Sequence, residues 1–127
     1  MKDLIIKGEA KTPTVKFNFQ NGELLISGRS IPENSVEFYE PIIQWLDDYK
    51  ASNGGGLKMD IKLEYFNTSS SKCILDLFKK LEELNEVKKA IAIQWYFEAD
   101  DEDMEEAGQD FQAIINVPME LVSVESL

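Results

Sequence analysis

The chain has 127 residues, 43% of them hydrophobic and 29% charged, a composition that suits one folded domain spanning residues 1–127. Its 24 acidic and 13 basic residues give a net charge of −11. That charge argues against binding to nucleic acid or to an anionic membrane surface, because both depend on Lys and Arg. A protein partner or a small ligand is the expected binding partner.

The cysteine and histidine content excludes most catalytic mechanisms that use a nucleophile with a histidine base or a zinc ion held by histidine. Cys73 is the only cysteine, so no internal disulfide forms, and we expect a cytoplasmic location and a buried, unreactive thiol. The absence of histidine removes Ser-His and Cys-His nucleophile pairs and His-ligated zinc. No stretch approaches the roughly 18 apolar residues of a membrane span. We therefore expect no enzymatic activity, no cofactor and no membrane insertion.

The N-terminal segment predicts a β-hairpin. Apolar residues alternate from Val15 to Phe19, the pair Asn21-Gly22 is typical of a two-residue turn, and Leu24 to Ile26 continue as the return strand. Upstream, Leu4 to Ile6 predicts a short first strand or an ordered arm.

A first helix is predicted after Pro32. Asn34 or Ser35 can cap its start, and Pro41 lies within the pattern, either in the first turn or at a kink. The Gly-rich segment from Ala51 to Gly56 ends the helix. The apolar residues at helical spacing, which are expected to face the core, are Val36, Tyr39, Ile42, Ile43, Leu46 and Tyr49.

A strand and a second helix follow. Leu57 to Phe66 alternates between apolar and charged residues, so one face of this strand is expected to be buried and the other wet. The expected buried face is Leu57, Met59, Ile61, Leu63 and Tyr65. The second helix is predicted from about Ser70 to Asn85, with a buried stripe of Ile74, Leu77, Phe78, Leu81 and Leu84.

The C-terminal segment predicts a strand, a helix and a strand. The strand covers about Lys89 to Phe97, and the helix falls within Asp100 to Ile115, where acidic residues in the first turn suit the helix dipole. A last strand follows Pro118. The apolar residues of this helix are Met104, Ala107, Phe111 and Ile114.

Strands that alternate with helices imply parallel crossovers. The expected fold class is therefore α/β: a small mixed sheet with an N-terminal hairpin and alternating helices. The strict alternation of Leu57 to Tyr65 further predicts that the helices cover one face of the sheet and leave the other more exposed.

Two further groups of residues match no ligand-binding pattern. The acidic run Asp100 to Asp103, followed by Glu105 and Glu106, lacks the spacing of an EF-hand loop and is interpreted as a solvated helix start. The aromatic residues Trp45, Trp95 and Tyr96 are interpreted as core or sheet-packing residues.

The junction between the strand ending at Phe66 and the second helix carries more hydroxyls than a helix start needs. Asn67 or Thr68 can serve as the N-cap, and three serines follow. A helix N-terminus favours anions, and an exposed hydroxyl there can accept a phosphate. The pattern alone leaves open a polar loop with a redundant cap, a phosphorylation site, or a site for a ligand phosphate. A P-loop is excluded because its glycine-rich motif is absent.

Three stretches of the chain resemble the SiaC family of bacterial regulatory phosphoproteins. They are PENSVEFYEPIIQWLDDY from Pro32, LEYFNTSSSKCILDLFKKLEE from Leu63, and IQWYFEADDEDMEEAGQDF from Ile93. The short motifs P-E-N-S and N-T-S-S carry the resemblance together. The order of elements is also similar to that of bacterial anti-sigma factor antagonist domains, so the resemblance implies the same fold.

The resemblance implies a partner-switching role. The family's phosphorylated threonine in N-T-S-S corresponds to Thr68. A serine/threonine kinase of the histidine-kinase-like type is expected to phosphorylate it, and a PP2C-type phosphatase to remove the phosphate. The unphosphorylated form is expected to bind and activate a diguanylate cyclase, which implies cyclic-di-GMP signalling and control of biofilm formation or aggregation.

The resemblance also points to the residues that contact partners. Lys72 either pairs with the phosphate or is a solvated side chain, and the P-E-N-S loop either meets a basic groove through its glutamate or only caps its helix. The residues expected to bind partners are Asn67, Ser69, Ser70 and Lys72 around Thr68, and Glu33 and Asn34 in the P-E-N-S loop.

Two alternatives remain beside this hypothesis. One is a switch that antagonises an anti-sigma factor, which shares the mechanism and differs in its output. The other is a module that binds a small ligand or nucleotide at the same helix N-terminus.

Overall fold

The computed structural model describes residues 1–127 as six strands and three helices. The three helices alternate with the last four strands, as the sequence predicts. The elements in chain order are β1 Leu4–Ile6, β2 Thr14–Phe17, β3 Glu23–Ser30, α1 Ser35–Ala51, β4 Leu57–Phe66, α2 Thr68–Lys88, β5 Ile91–Glu98, α3 Glu102–Ile114 and β6 Met119–Val124.

The six strands form one mixed sheet in which sequence order equals spatial order. β1, β2 and β3 pair antiparallel, and β3, β4, β5 and β6 pair parallel. Each helix connects a strand to the neighbouring parallel strand, and the strands are added in one direction across the sheet. Because such crossovers are right-handed, all three helices lie on the same face of the sheet. The predicted mixed α/β fold, with an N-terminal hairpin and one helix-covered face, is confirmed.

The predicted two-residue turn at Asn21-Gly22 is wrong. The loop is wider: the Asn18 N–H donates to Glu23 O at 3.0 Å, and the Gly22 N–H donates to Asn18 O at 3.1 Å. Gly22 has φ +71°, and its carbonyl accepts from the Lys58 N–H at 2.9 Å. The turn is therefore fixed by its docking on β4, and Phe19 leaves the strand to pack edge-on against Tyr49.

Helix α1 begins at Ser35 with Asn34 as its N-cap, whose side chain accepts from the Glu37 N–H at 3.0 Å. Pro41 lies inside the helix rather than in its first turn. Val36 was expected in the core, but it is 72% exposed. The inward position one turn before Tyr39 belongs to Ser35, which is held there by a side-chain hydrogen bond to α2.

Strand β4 keeps its predicted alternation only as far as Leu63. The pairing with β3 shifts after Gly28, so that Gly28 lies opposite Leu63 and the next residue of β3 lies opposite Tyr65. This bulge inserts Glu64 as an extra residue, so each residue after it points to the opposite face of the sheet from the one that strict alternation predicts. Tyr65 is therefore 51% exposed, contrary to expectation, and Phe66 turns toward the helices.

The centre of the core is an aromatic cluster around Trp95, which is fully buried. Its ring lies 6.0 Å from Phe66, 6.3 Å from Phe78 and 5.4 Å from Phe111, measured between centroids. The indole N–H donates to Met104 O at 3.0 Å. The cluster ties the end of β4 and the middle of α2 to α3, and it fixes the strand end that leads into the junction.

The predicted helix faces are otherwise confirmed, with one exception. The stripe of α2 is buried as predicted, including Ile74 and Phe78, and Cys73 is buried beside it. In α3, Ile114 was expected in the core but is 63% exposed. Gly108 is buried in this helix instead. The helix approaches Trp95 so closely there that a Cβ on Gly108 would lie within 2.8 Å of the Trp95 ring.

Candidate functional site

The junction predicted from the sequence lies where β3 and β4 end and α1 and α2 begin. The Asn67 N–H donates to Ser30 O at 3.0 Å, which fastens the end of β4 to the end of β3. The Asn67 side chain accepts from the Ser70 N–H at 2.9 Å and so is the N-cap of α2. Thr68 is thereby placed as the first residue of α2, two residues before the predicted start.

Three hydroxyl groups form a buried chain beneath the junction. The Ser70 hydroxyl donates to Ser30 O at 3.0 Å, and the Ser30 hydroxyl donates to Ser70 Oγ at 2.8 Å. Because both serine protons are used, the Tyr39 hydroxyl at 2.7 Å from Ser30 Oγ acts as donor. Burial raises the pKa of Tyr39 to about 12, which keeps this hydroxyl protonated and able to donate.

The P-E-N-S loop meets the N-T-S-S motif through a second contact. The hydroxyls of Ser35 and Ser69 lie 2.7 Å apart, although the residues are 34 positions apart in the chain. Ser69 also donates to the Asn67 side chain at 3.2 Å. The two motifs that the sequence singled out are thus parts of one site. Glu33 and Asn34 are exposed at its edge.

The hydroxyls of the junction divide into bonded and free groups. Ser69 and Ser70 are both held by internal hydrogen bonds, and Ser70 is fully buried. Thr68 is exposed, and its hydroxyl makes no hydrogen bond within the chain. Lys72 is exposed one turn further along α2 and forms no ion pair.

This division corrects the predicted role of Ser70. The resemblance placed Ser70 on the partner-binding surface, but its side chain has no exposed area and is hydrogen-bonded to Ser30. Ser70 therefore positions the junction from below and does not itself contact a partner. Asn67, Ser69, Lys72, Glu33 and Asn34 retain at least part of their surface, and their contact with partners stays a prediction.

Sequence reasoning missed two members of the buried chain as site residues. Tyr39 was expected only as a core residue, and Ser30 lies beyond the predicted return strand, which covered Leu24 to Ile26. The signal for Ser30 was present, since it continues the inward alternation of Leu24 and Ile26 along β3. A serine on a buried strand face needs a hydrogen-bond partner, and the partner lies at the junction.

We expect the Ser70→Ala substitution to lower the free energy of unfolding by about 1–3 kcal/mol, because it leaves the buried Ser30 hydroxyl without an acceptor. Urea denaturation measures the change. Ser71→Ala is the matched control, since its side chain makes no hydrogen bond within the chain, and we expect a change within about 0.5 kcal/mol. Equal effects of the two substitutions would contradict the role assigned to the buried chain.

Two other observations concern metal binding and membrane spanning, which the sequence analysis considered. Five acidic residues between the end of β5 and the start of α3 line a shallow depression, and no group of three or more potential ligands lies in a metal-binding arrangement. None of the three helices is both long enough and apolar enough to span a bilayer.

Comparisons with known proteins identify the family of this chain. The model of the SiaC family of regulatory phosphoproteins matches residues 6–124. A protein of uncharacterized function from Pseudomonas aeruginosa strain UCBPP-PA14 is 32% identical over 118 residues, which cover 93% of this chain and 94% of the relative.

Two solved structures from Pseudomonas aeruginosa have the same fold. Apo-SiaC is 31% identical, with a TM-score of 0.88, and the match covers 96% of this chain and 99% of that one. SiaC in its complex with the diguanylate cyclase SiaD, of which it is the activator, is 30% identical, with a TM-score of 0.90 and coverage of 96% and 100%.

Proposed function

The chain belongs to the SiaC family of regulatory phosphoproteins, and from this premise we propose that it is a non-enzymatic switch in which phosphorylation of Thr68 controls binding to a diguanylate cyclase. The unphosphorylated form binds and activates the cyclase. A serine/threonine kinase of the histidine-kinase-like type adds the phosphate, and a PP2C-type phosphatase removes it.

The observation that carries this proposal is the free hydroxyl of Thr68. It is exposed at the first position of α2, whereas the neighbouring hydroxyls of Ser69 and Ser70 are engaged in internal hydrogen bonds. Ser71 makes no side-chain hydrogen bond either, but it is only partly exposed. A kinase therefore reaches Thr68 without breaking the junction. The activator role of a relative that matches this chain along nearly all its length supports the choice of a cyclase as partner.

A phosphate on Thr68 acts locally rather than through the overall field. It adds about −1.5 to −2 charges to a chain that already carries −11, so long-range attraction or repulsion changes little. At the N-terminus of α2 the phosphate is favoured by roughly 0.3–1 kcal/mol. Phosphorylation is therefore expected to leave the fold intact and to change the docking surface formed by Asn67, Ser69 and Lys72, with Glu33 and Asn34 at its edge.

The test is the rate of cyclic-di-GMP synthesis by the purified cyclase of the same organism. The unphosphorylated protein is expected to raise the rate as it is titrated in, and the form phosphorylated on Thr68 is expected to have little effect. The two forms should melt within a few degrees of each other, because the fold is preserved. Equal stimulation by both forms, or a large loss of melting temperature on phosphorylation, would overturn the proposal.

A further inference from the structure

A polar depression lies on the open face of the sheet, on the side away from the helices. Its volume is about 320 Å³, which is at the lower end of the range of small-ligand sites. It extends from the turn between β2 and β3 across β3 to β4. The depression lies near the amino ends of β3 and β4, whereas the junction at Thr68 lies at their carboxyl ends. The two places are therefore separate sites.

Three lysines surround this depression. Lys58 and Lys62 flank Asp60 on one face of β4, because residues two apart in a strand share a face. Lys16 lies in the same row of the sheet as Asp60, two strands away, with Leu25 between them. Neighbouring strands are about 4.8 Å apart, so the backbones of Lys16 and Asp60 are about 10 Å apart. The long, flexible lysine side chains can therefore reach one anion above Leu25.

These lysines take no part in the ion pairs of the chain. All three ion pairs join residues of α1 and α2. Lys62 contacts the ring of Tyr96 instead, with its ammonium 4.7 Å from the ring centre. Because the chain has a net charge of −11, a group of three lysines without ion pairs is a local exception. Lysine ammoniums in such a group can bind the oxygens of a phosphate.

Asp60 supplies a different kind of group to the same depression. Its Oδ1 is buried and has no hydrogen-bond partner, and it is the only buried side-chain oxygen or nitrogen of the chain in this condition. A buried acceptor without a donor costs stability, so its retention indicates another role. A simple anion brings no donor for this carboxylate and is repelled by it. The matching ligand carries both an anionic group and hydroxyl or N–H donors.

We propose that the depression binds a ribonucleotide, with its phosphates on Lys16 and Lys58 and its ribose hydroxyls donating to Asp60. A carboxylate that accepts from ribose hydroxyls is a recurrent feature of nucleotide sites. Lys62, held beside the depression by Tyr96, adds a third positive charge. This inference does not rest on the proposed function, since it concerns the face of the sheet opposite the helices.

The experiment is a calorimetric titration of the full-length chain with ATP, without magnesium, and with the dideoxy analogue of ATP that lacks both free ribose hydroxyls. ATP is expected to bind about tenfold more tightly, because hydrogen bonds to a charged acceptor are among the stronger ones. Asp60→Ala should bind the two ligands equally. Glu86→Ala is the matched control, since it removes an exposed carboxylate of α2 outside the depression, and it should keep the preference for ATP.

A second pair of variants tests the phosphate contacts. Lys58→Gln is expected to weaken ATP binding about fivefold and to reduce its dependence on salt, because it removes one positive charge from the depression. Lys79→Gln makes the same change in net charge at an exposed position of α2 and should bind ATP as the unmodified chain does. Equal weakening in both variants would mean that only the overall charge matters, and would overturn the site.

The stability of Asp60→Ala separates a role in binding from a role in folding. Since Oδ1 has no hydrogen bond to lose, the midpoint of urea unfolding should stay the same or rise. A clear fall in the midpoint would make Asp60 a structural residue and overturn its assignment to the ligand. Failure of the unmodified chain to bind ATP, or equal affinity for ATP and its dideoxy analogue, would also overturn the proposal. None of these results touches the proposed function, because the titration contains no cyclase.

Discussion

The Thr68→Ala variant is expected to stimulate the cyclase equally with and without prior incubation with the kinase and ATP. The same incubation should reduce stimulation by the unmodified chain by at least about tenfold, because a phosphate in the interface must lose water when the cyclase binds. Thr68 makes no hydrogen bond within the chain, so its truncation removes the phosphate acceptor and leaves the junction in place. The measurement is the rate of cyclic-di-GMP formation after each incubation.

The control for this prediction is Ser71→Ala. Ser71 lies three residues after Thr68 in the first turn of α2 and makes no side-chain hydrogen bond, so it is the neighbouring hydroxyl that most resembles Thr68. This variant is expected to remain sensitive to the kinase. If Ser71→Ala is insensitive while Thr68→Ala is still inhibited, the phosphate belongs on Ser71 and the residue assignment is wrong.

Trp95→Ala is expected to cause the largest loss of stability, about 3–5 kcal/mol. Trp95 is fully buried, its ring lies near three other aromatic rings, and its N–H donates to Met104 O. Since domains of this kind are stable by only about 5–15 kcal/mol, the variant should unfold at a much lower urea concentration. The end of β4 should be affected too, because Phe66 packs against this ring.

Tyr96→Ala is the comparison for Trp95→Ala. Tyr96 is the next residue of β5, but it lies on the open face of the sheet, where the Lys62 ammonium is 4.7 Å from the centre of its ring. Exposed contacts of this kind are worth about 0.5–1 kcal/mol. A loss of stability as large as that of Trp95→Ala would mean that the open face is not solvent-exposed in solution.

The periodic parts of the fold could be predicted from the sequence. The stripe from Ile74 to Leu84 and the alternation from Leu57 to Leu63 follow the periods of a helix and a strand, and the structure buries both. The N-cap Asn34 was one of the two caps predicted, beside Ser35, because capping depends on a side chain and the backbone next to it.

The errors arose where a neighbouring element decides the outcome. The exposure of Tyr65 depends on a bulge that forms only because β4 pairs with β3 near Gly28, whose φ is +110°. The width of the first turn depends on its docking at Lys58. The exposure of Ile114 depends on the close approach of Gly108 to Trp95. None of these contacts between distant residues leaves a periodic signal.

The candidate site was predicted in part. The N-T-S-S junction stood out because it has more hydroxyls than one cap needs, and the structure explains the surplus. Ser70 belongs to the buried chain with Ser30 and Tyr39, Ser69 binds the P-E-N-S loop, and Thr68 is left free. That division of roles is a property of the packed junction, since α1 and α2 meet only in the folded chain.

The most direct test of the switch is to map phosphate on the protein isolated from its native cells, lysed in denaturant so that phosphatases stop acting. Peptide mass spectrometry of the unmodified chain and of Thr68→Ala identifies the modified residue. A single phosphate on Thr68 that is absent from the variant is the predicted result. A phosphate on Ser69, Ser70 or Ser71 that persists in Thr68→Ala would contradict the assignment of the free hydroxyl as the acceptor.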